Sequence, residues 1–191
     1  MQRRTCLLSG LALAASGLGL TAGTISWRSA QFQPDLTALL AQLEHWQLQL
    51  AQPGFSLHSQ GSWNASQIFQ HLAQSVAGSY QGYPLAKPAW FRHSIGPLAL
   101  HSFKAIGRMQ HPLTEPIAGM PALDPALPLP QALDLLLDAL RQFLLSQQLA
   151  EHFAYGVLTQ ADYQAAHWLH IRQHLSEISV PSTIKPPSHQ A

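Results

Sequence analysis

Gln131-Ala-Leu-Asp-Leu-Leu-Leu-Asp-Ala-Leu-Arg-Gln-Phe-Leu-Leu-Ser-Gln-Gln-Leu149 decides the fold class. Leu133, Leu136, Leu137, Leu140, Phe143 and Leu144 recur at helical spacing and make one wide apolar face. Asp134, Asp138 and Arg141 fall off that face. A solvated helix side explains the two aspartates better than a catalytic carboxylate pair. A helix with so broad an apolar face must bury it against other helices or a sheet. The rest of the chain shows no alternation of period two over a useful length, and no internal repeat.

Working outward, Gly156 marks a turn. Thr159 with Asp162 three residues on is a capping box, opening a last helix that runs to about residue 178. Upstream, residues 111–130 hold six prolines and no helical period, which reads as a long loop, lid or clamp. Gly96-Pro97 opens a third helix reaching about Met109. Asn64 with Gln67 caps a second helix through Ile68, Leu72 and Val76 to Tyr80, ended by Gly82-Tyr-Pro. Beside its apolar stripe run Gln67, His71, Ser75 and Ser79 at four-residue intervals. Apart from His71, that line suits a solvent-facing side. Residues 34–50 form the first helix, with Pro34 suited to its first turn, and Gln52-Pro-Gly breaks it.

With 191 residues, 47 % apolar and 10 % charged, the chain buries one sizeable core, so one domain is expected. Met1-Gln-Arg-Arg-Thr-Cys-Leu-Leu places two arginines before a diluted apolar run ending near Leu20. This is the layout of an export signal, and the run is too short and polar for a good spanning helix. Arg3-Arg4 with Leu7 resembles a twin-arginine signal, the route for proteins exported already folded. Removal of residues 1–23 leaves 8 Lys+Arg against 9 Asp+Glu, so no electrostatic footprint for nucleic acid remains. It also removes Cys6, the only cysteine, and with it any thiolate ligand or cysteine nucleophile. The expected organisation is signal 1–23, linker 24–33, helical domain 34–178 and a disordered tail 179–191.

The last helix carries His167, His170 and His174. At about 100° per residue they share roughly 60° of arc. Along the axis His170 and His174 are about 6 Å apart and His167 and His170 about 4.5 Å, whereas His167 and His174 are separated by about 10 Å. One ion with bonds near 2.1 Å takes an adjacent pair but not the outer two. His170 belongs to either pair. The four-residue spacing favours His170 with His174, leaving His167 as a supporting or alternate ligand. A third ligand must come from another helix, and His71 sits mid-helix beside an apolar stripe. His45, His58, His93, His101, His111 and His152 read as surface or loop residues, with His152 the least secure. Trp63, Trp90 and Trp168 read as core or pocket wall.

Ser62-Trp-Asn-Ala-Ser-Gln-Ile-Phe-Gln-His-Leu-Ala-Gln-Ser, followed by Gly82-Tyr-Pro, resembles the second-helix motif of the DinB-like metalloenzyme superfamily. Gly107-Arg-Met-Gln-His-Pro, Glu115-Pro-Ile-Ala-Gly and His152-Phe-Ala-Tyr-Gly-Val-Leu-Thr resemble an uncharacterised branch of it, and the matching blocks span residues 34–178. The resemblance implies an all-α, up-down four-helix bundle, here with an extra short helix and a long Pro-rich loop. It also implies one divalent ion on His71, His170 and His174. Zn or Ni suits such imidazole ligands. It supplies a site and no reaction. A metal-dependent hydrolase or transferase acting on a small molecule is one expectation, and a non-catalytic exported metal-binding or scaffold module is its rival. No HExxH glutamate lies between the ligands, which favours the rival, and Glu177 is suggested only as a residue supporting a ligand from behind. The expected compartment is periplasmic or otherwise extracytoplasmic, with membrane contact only through an uncleaved N-terminal anchor.

The signal reading has a direct test. Changing Arg3 and Arg4 together to Lys conserves charge but should strand the protein in the cytoplasm if the twin-arginine route is used. Cell fractionation decides it, and normal export of the Lys-Lys form overturns the folded-export reading.

Overall fold

A computed structural model describes residues 22–180, which are mostly helical. In chain order they form α1 (Ala22–Ala30), α2 (Leu36–Leu50), β1 (His58–Ser59), α3 (Ala65–Gln81), α4 (Ala89–Arg92), α5 (Ile95–Ile106), α6 (Leu129–Leu145), α7 (Gln160–Leu175) and β2 (Ile178–Ser179). The protein is all-α. No helix among the described residues is long and apolar enough to cross a membrane. Residues 1–21 of the expected signal and 181–191 of the expected tail lie outside the described residues.

α6 buries Leu133, Leu136, Leu137, Leu140 and Phe143 and exposes Asp134, Asp138 and Arg141, as its periodicity requires. It starts at Leu129, because Pro130 fits the first turn, where its missing N–H is not needed. It stops at Leu145 rather than 149, since Ser146 turns extended and the backbone N–H of Ala150 goes to the Ser79 carbonyl. Leu144 is correspondingly at the rim, 36 % exposed. The most extensive helix contact is between α6 and α3, with α2 and α7 completing the same core.

α2 starts at Leu36, two residues later than the expected residue 34. Asp35 is the N-cap, its Oδ1 accepting from the Ala38 N–H at 2.8 Å. At α3 the capping box forms in both directions between Asn64 and Gln67. α3 is buried on most sides, and there the sequence expectation fails. Ser75 and Ser79 are buried with His71, not solvent-facing.

Three features had no strong sequence signal. α1 lies in the stretch expected to be a linker and packs on α5. The one-turn α4 presents Trp90 at 64 % exposure, so this tryptophan is neither core nor pocket wall. A short antiparallel ladder pairs His58 with Ser179 and Ser59 with Ile178, tying the chain before α3 to the chain after α7. Residue 179 therefore belongs to the folded part.

Gly107 ends α5 in the left-handed conformation, φ 77°, as a residue without Cβ readily does. From there residues 107–128 contain neither helix nor strand. Proline lacks the N–H that either ladder needs, so the carbonyls of this segment must find donors elsewhere. They find them on and beside α3. Gln74 donates to the Pro121 carbonyl (2.9 Å), Asn64 to Pro125 (3.0 Å) and Ser66 to Leu127 (2.7 Å). Gln70 grips both sides of Asp124, donating to its carbonyl at 2.7 Å and accepting from its N–H at 2.9 Å. The segment is a strap laid antiparallel along α3.

Gln70→Ala removes both bonds to Asp124 and should cost about 1–3 kcal/mol. Denaturant melts measure the loss, and hydrogen exchange at Ala122, Leu123, Asp124, Ala126 and Leu127 should accelerate. Unchanged exchange there would show that Gln70 does not hold the strap.

Candidate metal centre

His71 comes from the middle of α3, and His170 and His174 come from successive turns of α7. One ligand nitrogen from each lies within 4.8 Å of the others. The His71 and His170 Nε2 atoms are 3.2 Å apart. Two bonds of about 2.1 Å to one ion, opened by roughly 90–110°, place their nitrogens about 3.0–3.4 Å apart. The pair therefore already has the separation of two ligands on one ion. Ring centroids within the three lie 4.8–5.1 Å from one another.

Charge state and hydrogen bonding both fit a divalent ion. Burial, reinforced by neighbouring histidines, pushes His71 down to about 4 and His174 to about 2. Burial also holds His170 well below its usual value, with His174, His111 and His71 adding to the effect. All three are thus neutral near pH 7, the form that ligates metal. His174 is 0 % exposed, yet neither of its ring nitrogens has a hydrogen-bond partner, and Nδ1 of His71 also lacks one. Unpartnered buried polar atoms cost about 1–3 kcal/mol each, which a bound ion offsets for every nitrogen it engages. His170 Nδ1 and Ser75 Oγ share a hydrogen bond at 3.1 Å, in which Nδ1–H is the donor when Nε2 serves as a metal ligand. Tyr83 in turn donates its hydroxyl to the Ser75 carbonyl at 2.8 Å. Trp63 walls one side, 5.0 Å from the His71 ring and nearly parallel to the His174 ring at 6.3 Å.

His167 is not part of this group. Its buried ring packs on Phe143 at 4.7 Å and Tyr163 at 5.4 Å, and its Nε2 has no partner. The carboxylate of Glu177 lies over Gly61, on the side of the β ladder, and bonds no nitrogen of the three histidines. Two histidines read as surface or loop do lie in loops but are not surface residues. His152 is buried, its Nδ1 accepting from the Ala154 and Tyr155 N–H groups in a tight turn. His111 is half-buried beside the centre, its ring 4.9 Å from His170 and 5.3 Å from His174. Its position on a helix-free strap gave periodicity nothing to act on, and it was marked only as part of the Gly107-Arg-Met-Gln-His-Pro block. His45, His58, His93 and His101 are exposed, as expected.

Buried neutral histidines make stability depend on pH with a definite sign. Above 6.5 both folded and unfolded chains leave them neutral. Below 6.5 the unfolded chain takes up protons that the folded one refuses, so stability is lost as pH falls, by about 1.4 kcal/mol per pH unit for each such group. The window reaches down to about 4 for His71 and about 3 for His167. Metal-free protein should therefore lose stability steeply between pH 6.5 and 4 in denaturant titrations, and His167→Phe should flatten that slope by one histidine's share. A stability independent of pH down to 5 would contradict the buried, neutral assignment.

No curated protein and no solved structure matches the chain. One family model, described as a protein of unknown function (DUF1569), does match, over residues 28–180. Its span takes in α3, the strap and α7, so all three clustered histidines lie inside it. The chain belongs to the DUF1569 family of proteins of unknown function.

Proposed function

We propose that this protein binds one divalent metal ion, Zn or Ni, through His71, His170 and His174, and uses it on a small-molecule substrate as a hydrolase or transferase. The observation that carries the reading is the convergence of three neutral imidazoles, His71 and His174 buried and His170 half-buried, with ligand nitrogens within 4.8 Å and both nitrogens of His174 unpartnered. The DinB-like resemblance supports the same ligand set. It also supports reading α2, α3, α6 and α7 as an up-down four-helix bundle, with α5 as the extra short helix and the strap as the Pro-rich loop.

When bound, an ion held by neutral nitrogens supplies Lewis-acid activation of a water or of a substrate heteroatom. The chain's own residues do the rest. Ser75 fixes the ring orientation and tautomer of His170, and Tyr83 fixes Ser75. Trp63 and the strap restrict water around the ligands, which strengthens electrostatic interactions there. Export through the N-terminal signal, periplasmic location and folding before export complete the proposal, since a ligand set assembled from two helices is loaded once the core has formed.

A non-catalytic exported metal-binding module is the second reading. It is favoured by the hydrogen bonding of the three histidines, in which no carboxylate takes part.

Elemental analysis of protein purified without a histidine tag tests the shared claim. One ion per chain is expected. His170→Ala should abolish it, Ser75→Ala should weaken binding about 10–100-fold, and His167→Ala should leave it in place. Metal retained in His170→Ala, or lost equally in His167→Ala, rejects the site.

A further inference from the structure

We propose that His111 is a fourth imidazole of the metal centre, delivered by the strap; the inference rests on the three-histidine reading above. Its ring stands at 4.9 Å from His170 and 5.3 Å from His174, spacings like the 4.8–5.1 Å found among the three themselves. The strap thus sets a fourth ring against two of the three that the helices bring together.

The hydrogen bonding of His111 prepares it for this role. A carbonyl only accepts, so the 2.9 Å contact of His111 Nδ1 with the Pro112 carbonyl places a proton on Nδ1. In the neutral ring that leaves Nε2 as a lone pair. This Nε2 is buried and has no partner. An imidazole with Nδ1–H bound to a backbone carbonyl and Nε2 free is the usual arrangement of a metal-ligating histidine. Burial also lowers the proton affinity of His111, with Pro112 and Glu115 opposing in part.

The strap is held so that the ring stays in place. Gln173, on the ligand helix between His170 and His174, donates to the His111 carbonyl at 2.9 Å. Further along, Gln70 and Gln74 hold Asp124 and Pro121. His111 lies outside the group of nitrogens that fall within 4.8 Å of one another, so its coordination draws the start of the strap onto the ion. The ion then joins three elements, α3, α7 and the strap.

Two measurements on the full chain decide the matter. Zinc K-edge absorption fine structure of the zinc-loaded wild type should count four imidazoles, and three would overturn the proposal without any variant. In parallel, zinc titration of metal-free wild type and His111→Ala should show one ion in each, with affinity at least about tenfold lower in the variant. Zinc should slow hydrogen exchange at residues 110–115 in the wild type and not in His111→Ala. Equal affinity and equal protection would reject His111 while leaving the three-histidine site intact. Failure of the wild type to bind zinc would reject the site and this inference together.

Discussion

A helix buried on nearly every side has no water for its polar side chains, and α3 is such a helix. Each polar group on it must find a protein partner, or its burial counts against folding. Buried Ser66 and Gln70 find theirs in a proline-rich segment that has too few N–H groups to make structure of its own, and half-buried Gln74 and the exposed N-cap Asn64 donate to the same segment. Two deficits, a helix with surplus donors and a strap with surplus acceptors, cancel each other. Ser75 turns to His170 and Ser79 to the Val76 carbonyl. Only His71 keeps a nitrogen with nothing to bond, and it sits where two further histidines converge.

The convergence depends on the rotation of α7 about its own axis, because a twist of one residue would carry His170 and His174 away by about 100°. That rotation is fixed at the start of the helix. Thr159 caps it, Lys104 on α5 pairs with Asp162 at 2.8 Å, and Tyr163 donates to the Ala150 carbonyl at 2.9 Å. Before the cap, the His152 turn is held by two N–H groups on its Nδ1 and by the His152–Gly156 bridge. α5 presses directly on this turn at Gly96, where a Cβ would meet the Ala154 carbonyl oxygen at 1.9 Å. His152 thus shapes the turn that leads into the helix carrying His170 and His174.

Much of this was legible in the sequence. The face of α6, both capping residues of α3 and α7, and the grouping of His170 and His174 follow from periodicity and local hydrogen bonding alone. Choosing His71 as their partner needed the resemblance as well as its mid-helix position. What escaped is long-range. Ser75 and Ser79 look solvent-facing on a helical wheel, and segments distant in sequence make that side of α3 an interior, His170 of α7 at Ser75 and the Ala150 stretch at Ser79. His111 and His152 lie outside the long helices, where spacing carries no direction. α1 and α4 are short, and their stability comes from packing on α5 rather than from a strong pattern of their own.

On the metal-binding reading, the ligand set carries a consequence for charge. Neutral imidazoles leave a divalent ion with its full charge inside a protein wall of low polarity, where no carboxylate bonds the ligand nitrogens. Moving such a charge out of water is costly unless something compensates it, and the backbone dipoles and hydroxyls nearby do so only in part. A fourth imidazole spreads the charge but does not cancel it. Whatever enters the remaining coordination position therefore binds more tightly as an anion than as its neutral conjugate acid, because it supplies the missing charge. On that reading, the same ligand chemistry that would hold the ion would also favour groups that give up a proton on binding.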